Sequence, residues 1–136
     1  MTVFSLLYAS KSIIPTGEAE AEVDALVGVS RSRNRNADVT GCLIFGGGRF
    51  AQVLEGAELA VEDIMASISR DARHTDVTIL ERGIVAERRF AGWSLGYAGP
   101  SLFVQRTIAT PVREALRGSP RGIADLLRIM VAFRAE

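Results

Sequence analysis

The chain has 136 residues, in which 16 Lys and Arg balance 16 Asp and Glu, so the formal net charge is zero. This length suits one domain with its own hydrophobic core. A neutral balance without charge blocks gives no indication of a nucleic-acid partner or of binding to an anionic membrane surface. Recognition is therefore expected to depend on a few specific contacts.

The first apolar run, residues 3–9, is much too short to span a membrane, and no basic residue precedes it as in a secretory signal. The single cysteine, Cys42, has no internal disulfide partner, which agrees with a reducing compartment. The sequence has no Cys/His cluster of the kind that binds metals. We therefore expect a cytoplasmic protein without a metal centre.

The predicted elements begin with a buried strand at residues 3–9 and an amphipathic helix. The strand carries Tyr8, whose hydroxyl needs a hydrogen-bond acceptor when it is buried. After Gly17, apolar residues recur at helical spacing and acidic residues occupy the first turns, which predicts a helix that ends near Arg33. The polar residues that follow are typical of a helix end, with Asn34 or Asn36 as the C-cap.

Two short apolar runs joined by glycines, residues 39–45 and 49–56, predict a β-hairpin. Gly46, Gly47 and Gly48 supply the positive φ that a tight reversal requires. Gln52 lies in the middle of the second strand among apolar residues, and a buried amide needs partners for both its oxygen and its nitrogen. These partners must come from elsewhere in the chain or from a ligand.

A second helix is predicted after the hairpin, because apolar residues recur at i, i+3, i+4 and i+7. They are Val61, Ile64, Met65 and Ile68. Residues 77–85 are predicted as a fourth strand and residues 88–97 as a fifth. The order β-α-β-β-α-β-β is typical of a ferredoxin-like α+β sandwich, an antiparallel-rich sheet with two helices on one face.

Residues 99–136 have a different pattern. Thr110-Pro111 and Ser119-Pro120 each place an N-cap residue before a proline, which predicts two more helices. The second of these helices carries an apolar stripe. We expect both to pack on the opposite sheet face, with a dimer interface as the competing use of the stripe.

Two enzymatic interpretations find little support, and we expect the chain not to be an enzyme. Cys42 and His74 would make a nucleophile and a base, but Cys42 lies in an apolar strand and nothing in the sequence places His74 beside it. The glycines at 46–48 lack the Lys-Ser/Thr of a phosphate loop and join two strands, so a hairpin turn explains them better.

Polar side chains at the ends of both helices and on the strand between them are candidates for one binding site. They are Asn34, Gln52, Asp71, Arg73 and His74. In a ferredoxin-like fold both helices pack on one face, so these side chains can converge between the helices. A carboxamide both donates and accepts, which suits the mixed imide and carbonyl edge of a flavin or pyrimidine ring.

Several short motifs also follow one another at characteristic intervals within residues 1–98. They are Tyr8 in Leu-Tyr-Ala-Ser, Asn34, Val39-Thr40-Gly41, Phe50, Gln52-Val53-Leu54-Glu55-Gly56, Asp71-Ala72-Arg73-His74 and Phe90-Ala91-Gly92-Trp93-Ser94. In this order the motifs resemble those of the BLUF domain, a blue-light sensor that uses FAD. The chain departs from the family at Leu95, where many members carry methionine.

The resemblance implies non-covalent binding of FAD, with FMN as an alternative, between the two helices. The implied cofactor-binding residues are Tyr8, Asn34, Phe50, Gln52, Asp71, Arg73 and His74, with Arg33 and Arg35 near the phosphates. It further implies that light moves an electron and a proton from Tyr8 to the flavin and that Gln52 then rearranges its hydrogen bonds. Trp93 and Leu95 would take part in relaying the change.

The implied organisation is a photosensory domain at residues 1–98 and a helical extension at residues 99–136. The signal would pass to a downstream protein or through a homo-oligomer, a dimer or larger. Two alternatives remain open. One is a module that binds a flavin or another planar ligand without photochemistry, and the other is a small hydrolase of the acylphosphatase type, which shares the fold.

Overall fold

The computed structural model of the chain describes residues 2–99 and 101–134 and shows a five-stranded sheet with helices on both faces. The strands are β1 (Val3–Ser12), β2 (Thr40–Gly46), β3 (Arg49–Gly56), β4 (His74–Val85) and β5 (Gly96–Ala98). The helices are α1 (Ala19–Asn36), α2 (Glu58–Ser69), α3 (Leu102–Leu116) and α4 (Pro120–Arg134).

The strand order is β4-β1-β3-β2-β5, which confirms the ferredoxin-like α+β prediction. All neighbouring pairs are antiparallel except β2 and β5, which run parallel. The central strands are therefore β1 and β3, and their register places Tyr8 directly opposite Gln52.

The sheet has a core on each face. On the face of α1 and α2, strand residues such as Leu6 and Leu54 pack against Val61 and Met65 of α2. On the opposite face, buried residues of the sheet pack against both C-terminal helices. This core includes Leu7, Ala9, Cys42, Ile44, Val53, Val104, Ile108, Val112, Leu126 and Met130. The predicted packing of α3 and α4 on the second face is confirmed.

The hairpin between β2 and β3 turns at Gly47 and Gly48. The prediction of positive φ is wrong for Gly46, which is the last residue of β2. Gly47 and Gly48 have φ values of 60° and 72°, the left-handed region in which glycine meets no steric penalty. Both residues lie between two antiparallel strands. This geometry explains the glycines without a phosphate-binding role.

The predicted fifth strand, residues 88–97, is wrong over most of its length, because only Gly96–Ala98 form β5. The preceding segment turns back on itself. The Trp93 N–H donates to the Phe90 carbonyl at 2.9 Å, and Gly92 adopts a φ of 83°. The buried carboxylate of Glu55 accepts from the Phe90 N–H at 2.7 Å, so a side chain replaces the ladder partner that a strand would need.

The predicted start of the third helix at Thr110-Pro111 is also wrong, since α3 begins at Leu102 and contains Pro111. Its N-cap is Ser101, whose Oγ accepts from the Val104 N–H at 3.0 Å. A proline inside a helix removes one i to i−4 hydrogen bond, but the apolar face that packs on the sheet continues through this point.

The predicted start of the fourth helix is confirmed. Pro120 is its first residue, and the Ser119 Oγ accepts from the Gly122 N–H at 3.2 Å. Pro120 needs no hydrogen-bond partner at this position because it has no N–H. Within the part of the chain that the structure describes, no helix is both long and apolar enough to cross a membrane.

Candidate functional site

A buried hydrogen bond between the two central strands forms the centre of the site. The Tyr8 hydroxyl donates to the Gln52 Oε1 at 2.6 Å, and both side chains are 3% exposed. The two residues are direct cross-strand partners on the face of α1 and α2. The hydrogen bond from Tyr8 uses the oxygen of the Gln52 amide, and the same amide carries two N–H donors on Nε2.

Burial keeps the Tyr8 phenol protonated. Desolvation raises the pKa of Tyr8 well above its ordinary value, Arg33 partly opposes this shift, and Asp71 adds to it. The half-buried guanidinium of Arg33 itself has a lowered pKa, chiefly because of desolvation. The Tyr8 hydroxyl is therefore neutral and donates a hydrogen bond to Gln52.

A cavity that opens to solvent lies beside this pair and between α1 and α2. It is lined by Tyr8, Leu26, Ser30, Arg33, Leu43, Phe50, Gln52, Ser67, Ile68, Asp71, Arg73 and His74. The lining combines apolar walls with a few polar groups, which is the usual composition of a small-molecule site.

His74, the first residue of β4, is held in place by two hydrogen bonds. Its Nε2–H donates to the Ile68 carbonyl at 2.7 Å, and its Nδ1 lies 2.7 Å from the Ser10 Oγ, which donates when the ring is neutral. The ring stands edge-on to Tyr8 and to Phe50, with centroids 6.2 Å and 5.9 Å apart. Since both nitrogens are occupied, His74 contributes a fixed wall to the cavity.

Asp71 and Arg73 form the mouth of the cavity, just after α2. The Asp71 Oδ1 accepts from the Arg73 N–H at 2.9 Å and so fixes this turn. The Arg73 Nε lies 3.6 Å from Asp71 and 3.9 Å from Glu22, and the side chain is 40% exposed. Such exposed pairs hold a guanidinium weakly, which leaves it free to turn toward an anionic ligand.

Asn34 is fully buried within α1, and neither it nor Asn36 is the C-cap, a position taken by Ala37. Its Nδ2 donates to the Ser94 carbonyl at 2.7 Å, and its Oδ1 accepts from the Arg33 Nη2 at 3.3 Å. Asn34 is therefore held by contacts within the protein, and it is not among the residues that line the cavity.

Arg35 lies apart from the cavity, in a separate depression with Asp38 and Arg88. Trp93 and Leu95 are also absent from the cavity lining. Leu95 is 3% exposed and packs in the cluster of Leu43 and Phe50 on the α1 face, whereas Trp93 packs against the core under α3 and α4. The segment from Trp93 to Leu95 thus connects the two faces of the sheet.

Sequence reasoning missed five lining residues. They are Leu26, Ser30, Leu43, Ser67 and Ile68. A usable signal existed for α1, because Leu26, Ser30 and Arg33 follow at i, i+4 and i+7 and therefore share one helical face.

Cys42 and His74 do not form a catalytic pair, because Cys42 packs on the α3 and α4 face while His74 lines the cavity on the other. Cys42 is fully buried, and desolvation raises the pKa of its thiol to about 12.

We expect a disulfide reagent such as Ellman's to label Cys42 in the unfolded chain and to leave the folded protein unlabelled over the same period. Rapid labelling of the folded protein would contradict this placement.

Comparison with known proteins gives a single family. The family model described as BLUF, sensors of blue-light using FAD, matches residues 3–96. The blue light- and temperature-regulated antirepressor BluF of Escherichia coli is 36% identical over 99 residues, which make up 73% of this chain and 23% of that protein. The chain therefore spans about a quarter of the length of this curated relative.

Solved structures of BLUF proteins also match this chain. The dark-state structure of BlrB, a BLUF protein, has a TM-score of 0.80 and 27% identity, over 96% of both chains. Klebsiella pneumoniae BlrP1 with FMN and cyclic diGMP has a TM-score of 0.68 and 32% identity, over 98% of this chain and 35% of that one. Because the family model covers well over half of the residues and includes both Tyr8 and Gln52, the chain belongs to the BLUF family and is a blue-light sensor with a flavin chromophore.

Proposed function

We propose that the cavity between α1 and α2 holds the isoalloxazine ring of FAD and that Tyr8 and Gln52 perform the light-driven step. The hydrogen bond of 2.6 Å between these two side chains, on the wall of the cavity, carries this proposal. It joins a phenol, which can lose an electron and a proton, to an amide that has two arrangements of donor and acceptor.

The lining suits a flavin ring. Leu26, Leu43 and Ile68 provide apolar surfaces, and Gln52 lines the same space. The amide can thus donate to a ring nitrogen or carbonyl oxygen while its oxygen accepts from Tyr8. Arg33 and Arg73 add positive charge to the lining, which favours the anionic phosphates of FAD.

When bound and excited by blue light, FAD supplies an acceptor for one electron and one proton. The raised pKa of Tyr8 keeps the proton on its Oη until the electron leaves. When the proton also leaves, Gln52 Oε1 loses its hydrogen-bond donor. Gln52 can then exchange the positions of its oxygen and nitrogen, because either end of the amide fits beside a hydroxyl. The electron and the proton would then return to Tyr8, which restores the phenol and the oxidised flavin. The exchanged arrangement of Gln52 would remain, and it is the signalling state.

We further propose that Asn34 helps to bind the ring. Its Oδ1 accepts a hydrogen bond from Arg33, which lines the cavity. The proposed sensory domain comprises residues 1–98, and residues 99–136 form the extension that carries the signal outward. This role of the extension is supported by the shared core, in which Phe90 and Trp93 pack with α3 and α4. The recipient is a downstream protein or a second copy of the chain, and residues 3–96 match a sensor domain instead of an enzymatic one.

An absorption spectrum before and after blue light tests the function. The purified chain, reconstituted with FAD, is expected to be yellow and to show a small red shift under blue light that reverses in the dark. A yellow protein whose spectrum light does not change would instead support a flavin-binding module without photochemistry. A colourless protein would contradict both, and parallel reconstitution with FMN would measure the cofactor preference.

A further inference from the structure

Glu55 is a buried acidic residue that the proposed light-driven step does not use. It lies on β3, three residues after Gln52, and is fully buried. Its Oε1 accepts from the Phe90 N–H at 2.7 Å and from the Thr40 hydroxyl at 2.9 Å, and its Oε2 accepts from the Arg89 N–H at 3.0 Å. A buried carboxylate costs several kcal/mol unless such donors satisfy it.

These bonds attach the start of the segment 88–95 to the central sheet. Arg88 strengthens the attachment, because its Nη1 donates to Thr40 Oγ1 at 3.1 Å while Thr40 donates to Glu55. A chain of donors thus connects a guanidinium to the carboxylate and stabilises its charge. Phe90, whose N–H is held in this way, is fully buried in the core under α3 and α4.

The end of the same segment is held from other elements. Three consecutive carbonyls accept hydrogen bonds: Trp93 from the Gly41 N–H at 3.1 Å, Ser94 from Asn34 Nδ2 at 2.7 Å, and Leu95 from Arg31 Nε at 2.9 Å. Trp93 therefore lies between two fixed points. One is Glu55 on the strand of Gln52, and the other is α1, which forms a wall of the cavity.

We propose that Glu55 is a positioning residue that transmits movements of β3 to the segment 88–95 and so to α3 and α4; this inference rests on the proposed light response. Gln52 and Glu55 project to opposite faces of one strand, because their separation is odd. The strand is paired on both sides, by β1 and β2, so a displacement at Gln52 would be shared along it. When Gln52 rearranges its hydrogen bonds, Glu55 shifts the Phe90 and Arg89 N–H groups, which lie on the far face.

The test compares Glu55→Gln with the wild type, both loaded with FAD, by amide hydrogen exchange in the dark and under blue light. The glutamine keeps one acceptor oxygen and places an NH2 group against the other backbone donor, so the amide of residue 89 or of residue 90 should exchange about tenfold faster in the dark. The red shift should persist, because Tyr8 and Gln52 are unchanged. The light-minus-dark exchange difference in α3 and α4 should disappear.

A variant that keeps the wild-type exchange difference in α3 and α4 would overturn the proposal, and so would a light-responsive wild type without any difference there. A wild type without a red shift would overturn the proposed function itself. Glu81→Gln, on the exposed side of β4, is the matched control and should leave all signals unchanged. If Glu55→Gln does not fold, Thr40→Val, which removes one of the three donors, should reduce the same difference, and an unchanged difference would overturn the proposal.

Discussion

Replacing Tyr8 with phenylalanine is expected to abolish the light-induced red shift and to leave FAD bound. The phenol is the one group in hydrogen-bonding contact with Gln52 Oε1 in the described part of the chain, and phenylalanine has no proton to give. The apolar walls of the cavity and the Gln52 Nε2 donors do not change. Absorption spectra of the reconstituted variant, recorded before and after illumination, measure both results.

Tyr97→Phe is the matched control, because the chain has two tyrosines and this one has a different environment. Its hydroxyl is buried and forms no hydrogen bond with the described residues, and burial, together with Asp24 and Glu20, raises its pKa to about 12. The control variant should keep the full red shift. A full shift in Tyr8→Phe, or loss of the shift in Tyr97→Phe alone, would contradict the role of Tyr8.

The Tyr8 variant should remain folded, which makes the spectral result interpretable. Removing the hydroxyl leaves the buried Gln52 oxygen without its partner, and such a loss costs about 1–3 kcal/mol. Domains of this size are stable by about 5–15 kcal/mol, so the native state should remain dominant. A thermal unfolding curve of the variant with FAD checks this point.

Sequence reasoning predicted the elements whose apolar residues follow a clear period. The hairpin, α1, α2 and α4 are examples, because each has either an uninterrupted apolar pattern or an N-cap and proline at its start. The convergence of Gln52, Asp71, Arg73 and His74 on one cavity followed from the fold class, since both helices cover one face.

Two of the wrong predictions, the fifth strand and the start of the third helix, share a physical cause, because tertiary contacts overruled local patterns. Phe90, Trp93 and Leu95 alternate as in a strand, yet Glu55, more than thirty residues earlier, binds the Phe90 N–H and Gly92 turns the chain. Pro111 suggests a helix start, yet packing on the sheet carries α3 through it. The hydrogen bonds of Glu55 to Phe90 and of Asn34 to Ser94 join residues far apart in the sequence, so neighbouring residues do not predict them.

Gly41→Ala is expected to destabilise the protein by about 1–3 kcal/mol or more, as overpacking typically does. A Cβ at this position on β2 would lie 2.0 Å from the Val53 carbonyl oxygen of the neighbouring strand. A backbone atom in a paired strand cannot move aside as a flexible side chain can, so β2 or β3 must shift. Because the Gly41 N–H also donates to Trp93, the shift should disturb the segment that connects the two faces. Denaturant unfolding followed by circular dichroism measures the change.

Gly83→Ala provides the comparison, since an added Cβ on β4 meets no atom within 4 Å. Alanine restricts the unfolded chain more than glycine does, so this variant should be neutral or more stable by up to about 1 kcal/mol. The contrast separates close strand packing from the general effect of removing a glycine. Equal stability of both variants would show that β2 and β3 can separate without cost. In that case, the hydrogen bonds of Gln52 and Glu55 would not depend on the close packing of β2 against β3.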